Sequence, residues 1–511
     1  MMRDDSKDPE HQSRDPRTDA NDALASEGAN RAGAPRRQSE RSANRGSLGG
    51  FLSRFLRHYG MLVVLVLLAL FFSLATLREQ EPTGAQASRS LLGRLPPSAD
   101  APNAPRTVLV IARSNTDDER FLMQLTAGLR ARKYRDVVVI TGGPGEVREG
   151  LERWANAAAM PAGQEAGGIG TEGVILATLQ SYAPVVRGAI AALPALSSAP
   201  IITPATYRWP TFLLTENLLN VANQIAVIAI LAIGMTMVII TGGIDLSVGS
   251  LIALAAVIAT GLIGHLGAAA ATNASMLAAS LAAMLLCGAI GIFSGLVITR
   301  FRVPPFIATL GMMQVASGIA YLLSHGRPIY QVPERFVALG RGVDPLIGIP
   351  YAVLLMAVLY VLAHLLMART PLGRYIYAVG GNAEAARLAG VNVRGVLMFV
   401  YIVSAVLAGL GGVVMASQLK SGAPTYGLSY ELYVIAAVVV GGTSLSGGEG
   451  RIFGTLIGAF IIAVIQNGMN LTNVESYTQK VVLGLVILGA VLLDQLRHTG
   501  WFRLPGRRHR P

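Results

Sequence analysis

The chain is poor in the groups that do covalent, redox or nucleotide chemistry. A single cysteine, Cys287, occurs in 511 residues and lies inside an apolar run, which excludes an intrachain disulfide and a multi-cysteine metal site. No Gly-Lys-Ser or Gly-Lys-Thr occurs, so there is no Walker loop. Charged residues make up only 14% of the chain against 52% hydrophobic, and the mean hydropathy is +0.50. Such values exclude an ordinary soluble protein. Acids are scarcer than bases, with 30 Asp and Glu against 42 Lys and Arg and a formal net charge of +12. The basic excess collects in the two tails and in short loops that flank apolar runs. It reads as a topology signal rather than a phosphate footprint, so membrane lipid is expected as a partner and nucleic acid is not.

What the chain has is long apolar runs. Residues 1–50 carry almost no apolar periodicity and are expected to form a disordered cytoplasmic tail, since they bury too little surface to offset ordering entropy. Residues 59–77 then give about 19 uncharged positions after Arg54 and Arg57, enough to cross a hydrocarbon core of about 30 Å. The polar stretch before them is too long for the n-region of a signal peptide, which favours an uncleaved span with its N-terminus inside. From Leu214 nine further runs follow, at 219–241, 246–266, 275–299, 304–324, 346–369, 395–416, 431–443, 452–471 and 479–496. The expected architecture is an all-α polytopic membrane protein of about ten segments, with a permease-like core at 214–497 and a basic cytoplasmic tail at 498–511. The run at 431–443 is too short for a straight span and is expected to be broken or re-entrant. Arg300, Arg302 and the loop from Thr370 fall inside, whereas Arg327, Arg335 and Arg341 fall outside against the positive-inside rule.

Residues 105–204 differ in character. Short Val/Ile/Leu-rich runs at 107–112, 136–141, 173–178 and 200–203 alternate with amphipathic stretches, as expected of parallel strands buried on both faces. This predicts a small doubly wound α/β domain, inserted on the extracytoplasmic side. Its first helix is expected to open with a capping box at Thr116–Glu119. In such sheets ligands sit beyond the carboxyl ends of the strands, which places Arg113, Ser114 and Asn115 there as candidates for ligand binding or docking. The turn Gly142-Gly143-Pro144-Gly145 is either a phosphate cradle or, more commonly for such sequences, a plain turn.

Thr370–Arg394 is the one long polar interruption in the second half. Asn382 is expected to cap a short helix through Ala389, with Gly390 ending it. A two-turn helix among Arg369, Arg374, Arg387 and Arg394 belongs on the cytoplasmic side and suits docking into a partner's groove. Gly242-Gly243-Ile244-Asp245-Leu246-Ser247-Val248-Gly249 recurs 199 positions later as Gly441–Gly448, five of eight letters being shared. Glycine-rich breaks in corresponding halves suit a transporter in which two helix ends meet at a pathway; two similar interhelical turns are the alternative. Asp245 is a rare acid among the spans, either functional or an N-cap for the next helix. The candidate pathway residues are Asp245, Ser247, Thr309, Ser444, Asn467 and Asn470.

NLLNVANQ from Asn217, GGIDLSVGS from Gly242, VPPFIATLG from Val303, TPLGRYIYAVGGNAEAARLAGV from Thr370 and GGTSLSGGEG from Gly441 together resemble the permease subunits of bacterial ABC importers of the ribose, xylose, arabinose and galactose class. The resemblance covers about 300 residues in order. It implies a ten-span subunit of the bacterial cytoplasmic membrane that moves a monosaccharide or similar small polar solute and is not itself an enzyme. It also implies a cytoplasmic ATP-binding subunit, an extracytoplasmic substrate-binding protein and a second permease copy or paralogue. The polar loop is similar to the family's coupling helix, which assigns Glu384, Ala385, Ala386 and Gly390 to contact with the ATPase. No cofactor or metal is implied. Ser294, Ser317 and Tyr433 depart from the family's usual residues, as does the insert. The alternatives are an ion-coupled secondary transporter, for which Asp245, Glu431, Asp494 and His364 offer few coupled groups, and a membrane-anchored sugar receptor.

Overall fold

The computed structural model describes residues 48–96, 107–134, 136–158, 173–330 and 332–498. The chain divides into two units. The first, Met1–Phe55, is described only from Leu48, where it is helical; the rest of the expected N-terminal tail, and the basic tail from residue 499, lie outside the described residues. The second, Leu56–Pro511, holds everything that follows.

Helix α1 (Leu48–Ala75) leads into β1 (Leu77–Gln80) and α2 (Gly84–Arg94). Strands β2 (Thr107–Ala112), β3 (Asp136–Thr141), β4 (Val174–Thr178) and β5 (Ile201–Ile202) then alternate with α3 (Thr116–Ala131), α4 (Pro144–Ala158) and α5 (Ala183–Ala191). The sheet has the order β3-β2-β4-β5 and is parallel throughout, with Val108 level with both Val137 and Ile175. Strand β2 is buried along its whole length, so its alternate side chains feed two cores. Val108, Val110 and Ala112 meet Phe121, Leu125 and Leu129 of α3 and Leu91 of α2. Leu109 and Ile111 meet Val147, Leu151 and Trp154 of α4 and Val186 of α5. Strand β6 (Tyr207–Pro210) returns the chain, pairing antiparallel with β1 so that Leu77 faces Pro210. This two-stranded ribbon is the stalk through which the chain enters and leaves the α/β layer.

One expectation for this region is corrected. Helix α3 is capped by Asn115, whose side chain accepts from the Asp118 amide at 2.7 Å, and not by a box starting at Thr116, which is already helical. At the glycine turn the Glu146 carboxylate accepts from the Gly143 amide at 2.8 Å. That amide is occupied, which favours the plain turn over the phosphate cradle.

The remainder is helical. Among the described residues seven helices are long and apolar enough to cross a membrane: α6 (Thr215–Ile240), α7 (Val248–His265), α8 (Asn273–Phe301), α9 (Pro305–Ser324), α11 (Tyr351–Arg369), α14 (Val393–Leu419) and α16 (Ile452–Leu471). Between them lie α10 (Glu334–Arg341), α12 (Pro371–Gly381), α13 (Ala383–Leu388) and α15 (Tyr430–Val440); α17 (Ser476–His498) closes the described chain. Shorter apolar helical stretches occupy 60–75, 430–440 and 476–492. Helix α6 is buried over 89% of its apolar window and α9 over only 17%, so α6 sits at the centre and α9 at the periphery. With α7 and α14, α6 forms the main core, whereas α1, α15, α16 and α17 gather around a second cluster that contains Phe72 and Phe212.

Candidate translocation pathway and coupling site

Helices α6 and α15 end in the same way. The amides of Gly242 and Gly243 donate to Ile239 and Val238 at 2.9 and 3.0 Å, and those of Gly442 and Thr443 donate to Val439 and Val438 at 2.9 and 3.2 Å. Both are Schellman caps, with Gly242 at φ +79° and Gly442 at φ +88°. The backbone correspondence therefore runs at an offset of 200, one more than the offset at which the letters match. Helix ends, not residue names, set the equivalence. The two loops also meet: the Gly448 amide donates to the Ile240 carbonyl at 2.8 Å. Helix α12 lies against both, since a Cβ on Gly380 would overlap the Ile240 carbonyl oxygen and stand 2.6 Å from the Gly448 nitrogen. The Tyr377 hydroxyl of the same helix donates to the Gly450 carbonyl at 2.8 Å.

Four of the six candidate pathway residues are buried. Asp245 Oδ1 accepts from the Ser247 amide at 3.0 Å and from its hydroxyl at 2.6 Å, and Oδ2 accepts from Ser404 Oγ on α14 at 2.8 Å. Asp245 is not the N-cap of α7, a position that Ser247 holds; its carboxylate closes a turn two residues on and ties that turn to α14. Thr309 of α9 clasps the same segment, accepting from the Leu246 amide at 3.2 Å with the Ile244 carbonyl at the same distance. Ser444 sits in the second loop, where its amide donates to Glu449 at 3.1 Å and its hydroxyl accepts from the Ser446 amide. Asp245, Ser247 and Thr309 come together as one knot holding α6, α7, α9 and α14. All three are buried.

An open chamber of about 330 Å³ lies between the first turns of α6, the last of α14, the first of α15 and the last of α16. Its polar lining is Gln224, Gln418, Gln466, Asn467, Tyr430 and Tyr433, with the two tyrosine rings edge to face at 6.2 Å. No Asp, Glu, Lys, Arg or His lines it. Asn467 is the one candidate that reaches it, and it exchanges two amide hydrogen bonds with Asn217, at 3.0 and 2.9 Å. Asn470, one turn further on, is exposed and accepts from Gln479 at 2.8 Å. The other lining residues were missed from sequence. The available signal was the cluster of amides at Gln466 and Asn467 inside an otherwise apolar helix.

In the polar loop, Asn382 accepts from the Ala385 amide at 2.9 Å and α13 ends in a Schellman cap. Gly390 has φ +85°, with its amide on Arg387 and that of Val391 on Ala386, both at 3.0 Å. Ala386 is buried, while Glu384, Ala385 and Gly390 are exposed. Glu384 pairs with Arg387 at 2.6 Å, and Leu388 stands 84% exposed at the tip. A short, capped helix with an apolar tip on the surface has the form of a docking element.

At the carboxyl end of the sheet, the Arg113 guanidinium lies over the Tyr182 ring at 5.1 Å and donates to the Ser181 carbonyl at 3.3 Å. The Tyr182 hydroxyl donates to the Gly142 carbonyl at 2.7 Å, and burial pushes its phenol above the ordinary value against the pull of Arg113. Arg113 thus bridges the ends of β2 and β4, where the strand order reverses. Ser114 and Asn115 are exposed beside it.

A family model described as the permease component of a branched-chain amino acid transport system matches residues 217–491, more than half of the chain. The chain belongs to that permease family. It is similar to the ribose import permease protein RbsC of Escherichia coli (strain K12), 44% identical over 287 residues, which is 56% of this chain and 87% of that protein. It is also similar to the D-allose transport system permease protein AlsC of the same organism, 37% identical over 56% of this chain and 85% of that protein. The L-arabinose ABC transporter permease protein AraH of Azospirillum brasilense is 36% identical, covering 57% of this chain and 83% of that protein. No solved structure matches the chain at a significant level. The protein is a multi-pass permease subunit of a bacterial ABC importer in the cytoplasmic membrane, and ATP hydrolysis resides in a separate subunit.

Proposed function

We propose that this permease carries a neutral monosaccharide of the ribose, allose or arabinose type, and that the chamber between α6, α14, α15 and α16 is part of its path. The observation that carries this reading is the chamber's lining of four amides and two phenols without an ionisable acid or base. An amino acid would bring an ammonium and a carboxylate into this space, and a charge left unpaired there costs several kcal/mol. Sugar hydroxyls instead match amides and phenols, which both donate and accept. The volume falls at the small end of the usual range for ligand pockets, about 300–1,000 Å³. The same absence of coupled ionisable groups argues against an ion-driven transporter.

Around that chamber the chain has ten membrane segments, the three shorter apolar helices joining the seven long ones. The permease core spans 214–497, the first span 59–77, and both tails lie in the cytoplasm. The 105–204 insert is extracytoplasmic. A second permease copy or paralogue completes the pathway, and a substrate-binding protein delivers the solute. Glu384, Ala385, Ala386 and Gly390 meet the ATPase, and Asp245, Ser247, Thr309 and Ser444 hold the helix ends that move. In the insert, Arg113, Ser114 and Asn115 form a contact surface for the binding protein. The test is uptake in proteoliposomes carrying the importer with its ATPase and binding protein. D-ribose, D-allose or L-arabinose should accumulate with ATP, and branched-chain amino acids should not compete. Competition by leucine at equal concentration would overturn the sugar reading.

A further inference from the structure

The chamber wall and the stalk of the insert share one hydrogen-bonded chain, and it runs through Asn217. Both amide hydrogens of Asn217 are used: one bond goes to the Phe212 carbonyl at 2.9 Å and the other to Asn467 Oδ1 at 3.0 Å, while its own oxygen accepts from Asn467. Asn467 lines the chamber. Phe212 is fully buried immediately after the stalk strand β6, and its amide donates to Thr76 Oγ1 at 3.1 Å at the end of α1. The Thr211 amide donates to the Thr76 carbonyl at 3.0 Å, and the Gln80 side chain of β1 donates to Thr211 Oγ1 at 2.8 Å. The Phe72 ring closes the other side against Gly468, where a Cβ would overlap it.

We infer that the Asn217–Asn467 amide pair is a latch on the insert side of the sugar chamber, which must part for solute to pass and is held by the β1–β6 stalk through Thr76 and Phe212. This rests on the sugar-chamber reading above. Two neutral amides suit a latch: the pair closes a wall without leaving a charge inside, and a pair of neutral hydrogen bonds contributes little enough to be remade in each cycle. A carboxylate at Asn217 would set oxygen against the Phe212 carbonyl and against Asn467 Oδ1, so Asn217→Asp opens the latch with little change in volume.

The assembled importer, with its ATPase and binding protein in proteoliposomes, provides the test, with radiolabelled D-ribose as probe. In a Cys287→Ala background, Asn217→Cys with Asn467→Cys is bridged by a short bifunctional methanethiosulfonate and released by dithiothreitol. Uptake by the double-cysteine importer should fall about ten-fold or more on bridging, relative to its own level before the reagent is added, and return on reduction, as for other gating elements. Bridging without loss of uptake, or failure of the two cysteines to be bridged, would overturn the latch. Asn217→Asp should raise ATP-independent ribose leak from preloaded vesicles, a readout that simple loss of folded protein lowers rather than raises. Thr76→Val, which keeps shape and removes the acceptor, should raise the leak as well; a tight Thr76→Val vesicle alongside a leaky Asn217→Asp vesicle would refute the stalk's part in the latch. Absence of uptake of all three sugars, D-ribose, D-allose and L-arabinose, by the unaltered importer would instead count against the chamber reading.

Discussion

The amide of Gly448 donates to the carbonyl of Ile240 across 208 residues of chain, at 2.8 Å. That carbonyl ends α6, and Gly448 belongs to the loop that follows α15. Against both lies Gly380 of α12, the helix that leads into the exposed α13. A displacement of α12 would therefore reach the end of α6 and the loop that follows α15 together, with Gly380 as the point of contact.

Gly380→Ala should be the more damaging of two neighbouring substitutions. Its Cβ would overlap the Ile240 carbonyl oxygen, while a Cβ at Gly381 meets nothing within 4 Å. Overpacking of this kind costs about 1–3 kcal/mol. Gly380→Ala should lower the thermal midpoint of the purified permease and uncouple ATP hydrolysis from uptake, whereas Gly381→Ala should match the parent in both. Equal behaviour of the two variants would remove Gly380 from the path.

Gly390 calls for a different reasoning. No atom lies within 4 Å of its missing Cβ, but φ is +85°, where a side chain costs about 1–2 kcal/mol. Gly390→Asn, which tolerates this region, should retain more stability than Gly390→Ala. Gly390→Trp should abolish ATPase binding if that open space belongs to the partner. The readout is co-purification of the ATPase with each variant at equal permease levels, and retention with Trp would sink the docking assignment.

The buried knot predicts a cost without a change in solute preference. Ser404→Ala removes the donor to Asp245 Oδ2 and leaves a buried carboxylate oxygen short of a partner, a loss of about 1–3 kcal/mol. The variant should unfold at a lower temperature and transport the same sugars in the same order. A reversed order would mean that Asp245 touches solute.

How much of this was legible in the sequence depends on whether the signal is one-dimensional. The long helices read directly, because continuous apolar runs bounded by arginine and glycine leave few alternatives; the run expected at 219–241 is helical over Thr215–Ile240. Strand β2 also reads directly, since burial on both faces makes Val108–Ala112 an unbroken apolar segment. Polar residues were harder to place. Asp245 stood out because an acid among spans is rare, yet its three donors come from Ser247, two positions on, and from Ser404, 159 residues away. Of the chamber's polar lining only Asn467 stands out in the sequence, because Gln224, Gln418 and Gln466 lie on three different helices and nothing in their separate contexts says that they converge. The glycine repeat was found at an offset of 199 by its letters, while its backbone repeats at 200, since Thr241 and Gly441 fill the same C-cap with different residues.

The last expectation concerns the insert. Its sheet is a single four-stranded layer, and Arg113, at the reversal of strand order, is stacked on Tyr182 and bonded to the Ser181 carbonyl. One layer has no second lobe to enclose a sugar, and pockets that bind small solutes well bury most of the ligand's surface. A flat, polar edge with a held arginine instead suits a protein partner. Residues 82–206, which keep α2 and its buried Leu91 in the core, should when expressed alone therefore give no saturable heat with D-ribose, D-allose or L-arabinose. Within the whole importer, Arg113→Ala should weaken stimulation of ATP hydrolysis by the binding protein by about three- to ten-fold, in the range of loss of one interface anchor of about 1 kcal/mol. Tight sugar binding by the fragment would revive the receptor reading, and unchanged stimulation in Arg113→Ala would remove this edge from the docking surface.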